Sequence, residues 1–179
     1  MSIHCENLKS PTSITAVFSC PGSQEEKRKH PCSGLTGKAL EFILSLLSFN
    51  GLSLSRSLIG ITNAWDKVEY QKKTKRSEAS DSEILSPENI KRLLYELTFT
   101  DIAIAFGAKA LLALTYIKEH YKPELIIIES THLSPRNINF NVKTDFSGNV
   151  LIAGQKGNTK KRWEYIAYKI KKTSSGLFS

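Results

Sequence analysis

Four short apolar runs, separated by polar loops and helix-like segments, constrain the fold of this chain more than any other feature. They cover residues 14–18, 58–63, 101–106 and 124–129. Apolar runs of this length are typical of buried strands. Strands that alternate with helices predict a parallel sheet covered on both faces. We therefore expect an α/β fold, with a central four-stranded parallel sheet flanked by helices. It forms a single domain over residues 1–179, of which 1–13 are a loose polar lead-in.

The segments between these runs predict helices. A first helix is expected over residues 36–47, followed by Asn50-Gly51, a pair that tolerates the left-handed backbone of a helix end. Ser86 as N-cap and Pro87 in the first turn predict a second helix that ends at about residue 97. A third is expected over residues 108–120, directly after a glycine.

The remaining segments are less regular. Residues 65–82 predict a polar surface loop, which could face phosphate through Lys72, Lys73, Lys75 and Arg76. Residues 138–142 and 150–153 are candidates for short strands. A last amphipathic helix is expected over residues 159–172, with Trp163, Ile166, Ala167 and Ile170 facing inward. Its outer face is expected to be basic and to carry Lys160, Lys161, Arg162, Lys169, Lys171 and Lys172.

The charge of the chain favours a polyanionic partner. With 25 Lys and Arg against 17 Asp and Glu, the formal net charge is +8. A basic balance of this size favours nucleic acid ahead of a membrane surface, although a merely basic surface is the alternative. The 179 residues suffice for one domain with a full core.

The cysteines and the hydropathy pattern indicate a cytoplasmic protein without a cofactor. Cys5, Cys20 and Cys32 are odd in number and show no Cys-x-x-Cys spacing, so neither a disulfide framework nor a zinc site is expected. The N-terminus lacks an apolar signal core, and no apolar run approaches the roughly 18 residues of a membrane span. We expect a monomer that does not contact membranes.

Polar side chains follow the predicted strands at the points where they end. They are found at residues 19–26, at Asn63 and at residues 130–136. In a parallel sheet the carboxyl ends of the strands share one edge, where ligands bind. The sequence therefore predicts a single site along this edge, next to a Pro21-Gly22 loop that feeds a helix N-terminus.

The motifs along this edge resemble those of the uracil-DNA glycosylase superfamily, closest to its bacterial and archaeal branch. The first is Pro21-Gly22-x-x-Glu25-Glu26, continued by Pro31-x-x-Gly34-x-x-Gly37-x-x-Leu40. Ile61-Thr62-Asn63 is similar to a strand that ends in a base-contacting Asn, and residues 104–110 to a strand-to-helix step. His132-Leu133-Ser134-Pro135 resembles a motif that lies over the target base. The resemblance covers residues 13–139, with the motifs in the same order.

The resemblance implies a DNA glycosylase that flips out its target nucleotide and hydrolyses the N-glycosidic bond. His132 would donate to the base oxygen on which negative charge develops, and Glu26 or Glu25 would orient water or stabilise the sugar cation. The base would be bound by Asn63, Cys20, Cys32 and Ser19. DNA would be held by Arg136, Ser134, Lys38, Lys27 and Arg28. The partner is DNA, single- or double-stranded.

Several positions depart from the family pattern. Ser19 stands where related enzymes have an acid or an amide, and serine is a poor base unless another group activates it. Cys32 replaces an aromatic residue that stacks on uracil, which should open the pocket to larger bases. Lys67 stands where an iron–sulfur cysteine would be expected, so we predict no cluster. Arg136 replaces the leucine that fills the gap left by a flipped base.

Each of these residues also has an ordinary structural explanation. Glu25 and Glu26 could be solvated or lie at a helix N-terminus, His132 could bond to backbone, and Asn63 could cap a turn. Trp65 and Tyr70 could stack on a base, but packing is the more usual role of a tryptophan. The glycines at 34–37 do not fit a Walker motif, so we do not expect nucleotide hydrolysis.

The sequence thus predicts a DNA glycosylase acting on a modified or damaged pyrimidine. Hydroxymethylcytosine of phage DNA, or its glucosylated form, is one candidate, and the protein would then serve antiviral defence. The alternatives are a uracil-DNA repair glycosylase, a catalytically inactive DNA-binding relative, and a basic RNA-binding module, which no RNA motif supports.

Overall fold

The computed structural model describes residues 3–179 and confirms the α/β architecture. Its central sheet has four parallel strands in the order β4-β1-β5-β6. These are β1 (Ile14–Phe18), β4 (Gly60–Asn63), β5 (Ile102–Phe106) and β6 (Ile126–Ser130), and a separate two-stranded hairpin holds β2 (Ser48–Phe49) and β3 (Leu52–Ser53). The helices are α1 (Ser23–Arg28), α2 (Gly34–Ser45), α3 (Gln71–Thr74), α4 (Asp81–Ile84), α5 (Pro87–Glu96), α6 (Ala108–His120), α7 (Pro135–Asn141) and α8 (Asn158–Thr173).

Two apolar layers bury the faces of the sheet. Alternate residues of β1 point to opposite sides, so that Ile14, Ala16 and Phe18 join one core cluster and Val17 joins the other. The first layer is completed by α2 and α8, and the second by α4, α5 and α6. This sandwich explains why the strands are apolar throughout instead of alternating.

The helix that follows β5 and the one that begins at Pro87 agree with the sequence patterns. Ser86 is the N-cap of α5, with Pro87 in its first turn. Ile90, Leu93 and Leu97 are buried in the second layer, whereas Leu94 is only partly buried against it. Helix α6 spans the predicted residues and begins after Gly107.

Three local expectations are wrong. Asn50-Gly51 does not end a helix but forms the turn between β2 and β3, since α2 already stops at Ser45. Residues 138–142 are not a strand, because Ser134 and Pro135 start α7 there. The other candidate strand, at 150–153, reduces to one bridge between Thr144 and Val150.

The expectation for Arg162 is also wrong, because its side chain is buried under α8 and does not lie on the basic outer face of that helix. The side chain is 1% exposed, and its guanidinium donates to the carbonyl oxygens of Val142 and Leu151. A buried arginine that is paired with backbone oxygens satisfies donors and acceptors that water cannot reach. It therefore ties the segment after α7 to α8.

The lead-in and the loop after β4 are more ordered than predicted. Glu6 forms an antiparallel bridge with Ile61, which continues the sheet beyond β4, and Thr12 is buried. The expected polar loop at residues 65–82 contains the short helix α3, and helix α4 begins at its end, at Asp81. Together they close one side of the sheet near its carboxyl edge.

Candidate active site

A cleft of about 920 Å³ opens at the carboxyl edge of the sheet, where the sequence predicted the site. Its walls come from the loop and helices after β1, from the end of β4, from the segment after β4 and from the start of α7. Ten of the twelve predicted site residues line it: Ser19, Cys20, Glu25, Arg28, Cys32, Lys38, Asn63, His132, Ser134 and Arg136. Glu26 and Lys27 are not among the lining residues.

Ser19 contributes a hydroxyl at the end of β1 that is buried without a satisfactory partner. The residue is 3% exposed, and its Oγ is the one buried side-chain N or O atom within residues 3–179 that forms no hydrogen bond in the structure. The neighbouring Cys20 thiol interacts with Ser19, but a thiol is only a weak hydrogen-bonding partner. Buried hydroxyls are normally bonded. An unsatisfied one in a cleft is therefore available to a ligand or an ordered water.

His132 is held as a neutral imidazole with one defined tautomer. The Ser134 N–H donates to its Nδ1 at 3.1 Å, so the proton of the neutral ring resides on Nε2. Burial lowers the pKa of His132, while Glu78 and Glu25 act weakly in the opposite direction. The side chain is thus a neutral N–H donor at ordinary pH.

The ring of His132 is positioned by aromatic packing and by a glycine. It stands edge-on to Phe18, whose own ring stacks on Phe106 at a centroid distance of 4.9 Å. Gly107 has a positive φ of 104°, and a Cβ there would lie 3.1 Å from the Cβ of His132. The glycine between β5 and α6 is therefore required by both the backbone conformation and the histidine.

Asn63 lies in the cleft with its amide oriented by the lead-in. The residue is buried, and its Nδ2 donates to the carbonyl oxygen of His4 at 2.9 Å. One N–H is thereby used by the backbone, which fixes how the amide presents itself. A fixed amide can both donate and accept, and it suits the edge of a pyrimidine.

Glu25 joins the two helices that form the upper wall. Its carboxylate accepts from the N–H of Gly22 at 3.0 Å and from the N–H of Ser33 at 2.9 Å. The first bond caps α1 and the second fixes the residue that precedes α2. Glu25 therefore has a structural role, although it also faces the cleft.

Glu26 is turned away from the cleft lining and contacts the segment after β4. It accepts from the hydroxyl of Tyr70 at 2.7 Å and from the ammonium of Lys73. Hydrogen bonds from Lys73 and then Tyr70 lower the pKa of this carboxyl. These bonds tie α1 to α3, and they do not place Glu26 where it would activate water.

The segment after β4 supplies a polar wall that the sequence patterns missed. The wall consists of Glu69, Tyr70, Gln71, Ser77 and Glu78. Bonding to Arg76 lowers the pKa of Glu69 to about 2, and Arg76 also binds Glu83 at 2.6 Å. No local motif marks these residues, and a run with this much charge reads as a solvated loop.

Trp65 begins this segment as a core residue. It is buried in the second apolar layer, and its indole N–H donates to Glu69 at 3.3 Å. The packing role expected from the sequence is therefore the one seen in the structure. Tyr70, by contrast, lies in the cleft wall.

The three cysteines are unpaired, and the two in the cleft are held as thiols. Burial raises the pKa of Cys20 to about 12 and raises that of Cys32 still further. Since the thiolate is the reactive form, neither is poised as a nucleophile. Cys32 is buried, has a positive φ of 45° and is one of the residues that line the cleft.

Three cations surround the opening of the cleft. Arg28 ends α1, Lys38 lies in α2, and Arg136 lies in the first turn of α7. All three side chains are exposed, and Lys27 is exposed beside them outside the lining. A polyanion that enters the cleft would meet positive charge on both sides.

His4, Cys5 and Glu96 form a cluster beside β4 whose potential ligand atoms lie within 4.8 Å of one another. Its carboxylate already accepts from Arg92 at 2.6 Å, from Thr62 and from His4 at 3.1 Å. A bonded Arg disfavours a cation at the same carboxylate. The cluster is accounted for as an ion-pair network that fastens the lead-in to α5.

Comparisons with known proteins do not identify a relative: no protein-family model matches the sequence, and no match is found among curated proteins. Within residues 3–179, none of the helices combines the length and apolar character needed to cross a bilayer.

Proposed function

We propose that this protein is a DNA glycosylase that flips a modified pyrimidine into the cleft and hydrolyses its N-glycosidic bond. The observation that carries the proposal is His132, a half-buried neutral imidazole whose Nε2–H is free to serve a leaving base. Arg28, Lys38 and Arg136 at the opening would hold the phosphates of the flipped strand. The motif resemblance supports the same assignment.

In the proposed reaction the bond between C1′ of the sugar and N1 of the base breaks. The electron pair stays with the base, where His132 stabilises charge on O2 by hydrogen bonding. The sugar becomes positively charged and is attacked at C1′ by water, which loses a proton to a carboxylate. The base anion then takes up one proton, which balances the proton that the water loses, and the products are the free base and an abasic site.

The carboxylate that serves the water is Glu25 in this proposal. Glu25 lines the cleft and is fixed by two backbone N–H groups, and each of its oxygens keeps a second lone pair. Glu78, in the part of the cleft wall that follows β4, is the competing acid. Glu26 is not in the cleft lining and accepts from Tyr70, so it is not proposed for this role.

The substrate we propose is a bulky cytosine derivative of phage DNA, such as hydroxymethylcytosine or its glucosylated form. The cleft is near the upper end of ordinary ligand pockets, about 300–1,000 Å³, so there is room for a substituent. Tyr70, Gln71 and Glu78 in the wall offer hydroxyl, amide and carboxylate groups to a sugar. The protein would act as a monomer in antiviral defence. It would do so in the cytoplasm, a reducing compartment that is consistent with its unpaired cysteines.

The test is base release from oligonucleotides that carry one uracil, one hydroxymethylcytosine or one glucosylated hydroxymethylcytosine, followed by alkaline cleavage. We expect strand breaks at the modified cytosines. His132→Gln should lower the rate about 10²- to 10³-fold, the usual cost of losing one such donor. The matched control is His120→Gln, an exposed histidine on α6 outside the cleft. Breaks only at uracil would make the protein a repair glycosylase.

A second candidate is a DNA-binding protein without catalysis. It is favoured by Ser19, which stands where the family has an acid or amide, and by Glu25, whose oxygens both accept backbone N–H groups. It predicts salt-sensitive DNA binding with no abasic product from any substrate. Base release by the wild-type protein separates the two candidates, and its loss in Glu25→Gln or in Glu78→Gln identifies the carboxylate that serves the water.

A further inference from the structure

The surface beside the cleft carries exposed apolar side chains within a basic stretch of the chain. Phe140 is 73% exposed, Val150 76% and Ile152 63%. Residues 136–161 contain five basic residues and one acid. Exposed apolar groups scattered singly are normal, but a cluster of large ones marks an interaction surface.

Helix α7 links this surface to the cleft. Ile138 is its buried residue, and at 100° per residue Arg136 and Phe140 both lie roughly 160° away from it. The two side chains therefore share the outer face, and Arg136 also lines the cleft. The ammonium of Lys143 sits 5.3 Å from the centre of the Phe140 ring.

The two aliphatic residues continue the same surface. The Leu151 N–H donates to the carbonyl oxygen of Lys143 at 2.8 Å, and Leu151 itself is buried. Val150 and Ile152 flank it and point outward, as alternate residues of an extended chain do. The buried Arg162 donates to the backbone on both sides of this pairing, at Val142 and Leu151, and so anchors both segments to α8.

We propose that this outer strip, formed by Arg136, Phe140, Lys143, Val150 and Ile152, is a stacking platform for unpaired bases that flank the target nucleotide. The inference rests on the proposed DNA binding. The centre of the strip is aromatic and aliphatic, with cations at Arg136 and Lys143. A duplex presents phosphates and hides its base faces, whereas a single strand exposes both, and it is the single strand that this combination fits. The preferred substrate is therefore single-stranded or locally melted DNA.

The experiment measures dissociation constants by fluorescence anisotropy for three oligonucleotides that carry the same modified cytosine. One is single-stranded with the base near an end, one is single-stranded with flanks on both sides, and one is a duplex. We expect the flanked single strand to bind best. Phe140→Ser should weaken that binding about tenfold, which is the order of one lost base-stacking contact. It should leave the affinity for the single strand with the base near an end unchanged.

Two variants control for nonspecific effects. Phe140→Trp should retain binding to the flanked strand, because a larger ring still stacks. Tyr95→Ser removes an aromatic side chain that is 80% exposed on α5, away from the cleft lining, and should change nothing. Thermal unfolding followed by circular dichroism should show the same midpoint for all variants.

Three outcomes would overturn the inference. Phe140→Ser could weaken binding to the single strand and to the duplex equally, or it could weaken binding to none of the oligonucleotides. In the third outcome the protein sediments as a dimer that Phe140→Ser dissociates, which would make the strip an interface between copies. The outcome is separate from that of the proposed reaction. Flank-dependent binding without base release would keep the platform and reject the glycosylase, and base release without flank dependence would do the reverse.

Discussion

The hydroxyl of Ser19 shows how one residue can point to a ligand. Most buried polar atoms of this protein are bonded within the chain, and Ser19 Oγ is not. Folding removes this hydroxyl from water without returning a hydrogen bond, which costs free energy. Because Ser19 lines the cleft, either a bound ligand supplies the missing hydrogen bond or the folded state bears its cost.

The stability of serine variants tests this interpretation. Ser19→Ala removes an unsatisfied hydroxyl, so the free energy of unfolding should stay the same or rise by up to about 1 kcal/mol. Ser33→Ala is the matched control, because its hydroxyl donates to the carbonyl oxygen of His30 at 2.7 Å and its loss should cost about 1 kcal/mol. Urea denaturation measures both. A clear loss of stability in Ser19→Ala would show that the hydroxyl has a partner.

His4 predicts how stability depends on pH. Bonding to Cys5 and Glu96 raises the pKa of His4 to about 9 from 6.5. The folded state then holds a proton that the unfolded state has lost, so this contribution is complete below pH 6.5 and disappears as the pH rises through about 9. Unfolding free energies measured from pH 6 to 9.5 should fall in the wild type and be flatter in His4→Gln. His120→Gln, an exposed control, should keep the fall.

At the scale of elements, the loop between β1 and α2 depends on Glu25. One carboxylate caps α1 and fixes the start of α2, which sets the upper wall of the cleft. Because the acceptor is charged and both donors are backbone groups, its removal leaves two N–H groups without their partner.

Glu25→Ala should therefore destabilise the protein by about 2–3 kcal/mol, since hydrogen bonds to charged groups are worth about 1.5–3 kcal/mol each and water replaces part of the loss. Glu26→Ala is the adjacent control, and it should change stability little because its partners Tyr70 and Lys73 are at the surface. Urea denaturation with unchanged m-values would make the comparison valid. Equal effects would contradict the separate roles of the two acids.

Gly107 connects β5 and α6 to His132. Gly107→Ala combines a positive φ with a Cβ only 3.1 Å from the histidine. We therefore expect the free energy of unfolding to fall by about 1–3 kcal/mol and the His132 ring to be displaced. Gly148→Ala has a similar φ of 83° but open space around the new Cβ, so it isolates the backbone cost. The His132 ring signals in NMR, with urea denaturation, separate the two. An unmoved ring in Gly107→Ala would show that the contact relaxes.

At the scale of the whole molecule, the net charge of +8 becomes meaningful through its placement. Arg28, Lys38 and Arg136 stand at one opening, while Arg76 and Arg92 are neutralised by carboxylates. A net charge describes solubility and attraction to any polyanion, but only a directed set of cations positions a strand.

The salt dependence of DNA binding tests this placement. For a single strand, each phosphate contact contributes about −0.7 to the slope of log K against log salt. Arg28→Gln, Lys38→Gln and Arg136→Gln should each make the slope shallower by about that amount. Lys118→Gln, an exposed lysine of α6 outside the cleft, should not. Equal slopes for all four variants would mean that the cleft does not hold the strand.

The sequence by itself determined the architecture and much of the cleft. Apolar strands that alternate with helices favoured a parallel sheet covered on both faces, and parallel strands bring their carboxyl ends to one edge. The polar residues at the ends of β1, β4 and β6 are therefore brought to the same edge of the sheet. Ser19, Asn63 and His132 do so because each lies at or just beyond the end of a strand.

Only the tertiary structure decided what each side chain of the site is bonded to. Glu25 and Glu26 are neighbours in sequence, but the turn of α1 points one toward the cleft and the other toward Tyr70. The wall at Glu69 and Glu78, the neutral state of His132 and the burial of Arg162 depend on elements distant in the chain. Periodicity reports which face of an element is apolar, whereas hydrogen bonds and burial arise from what packs against it.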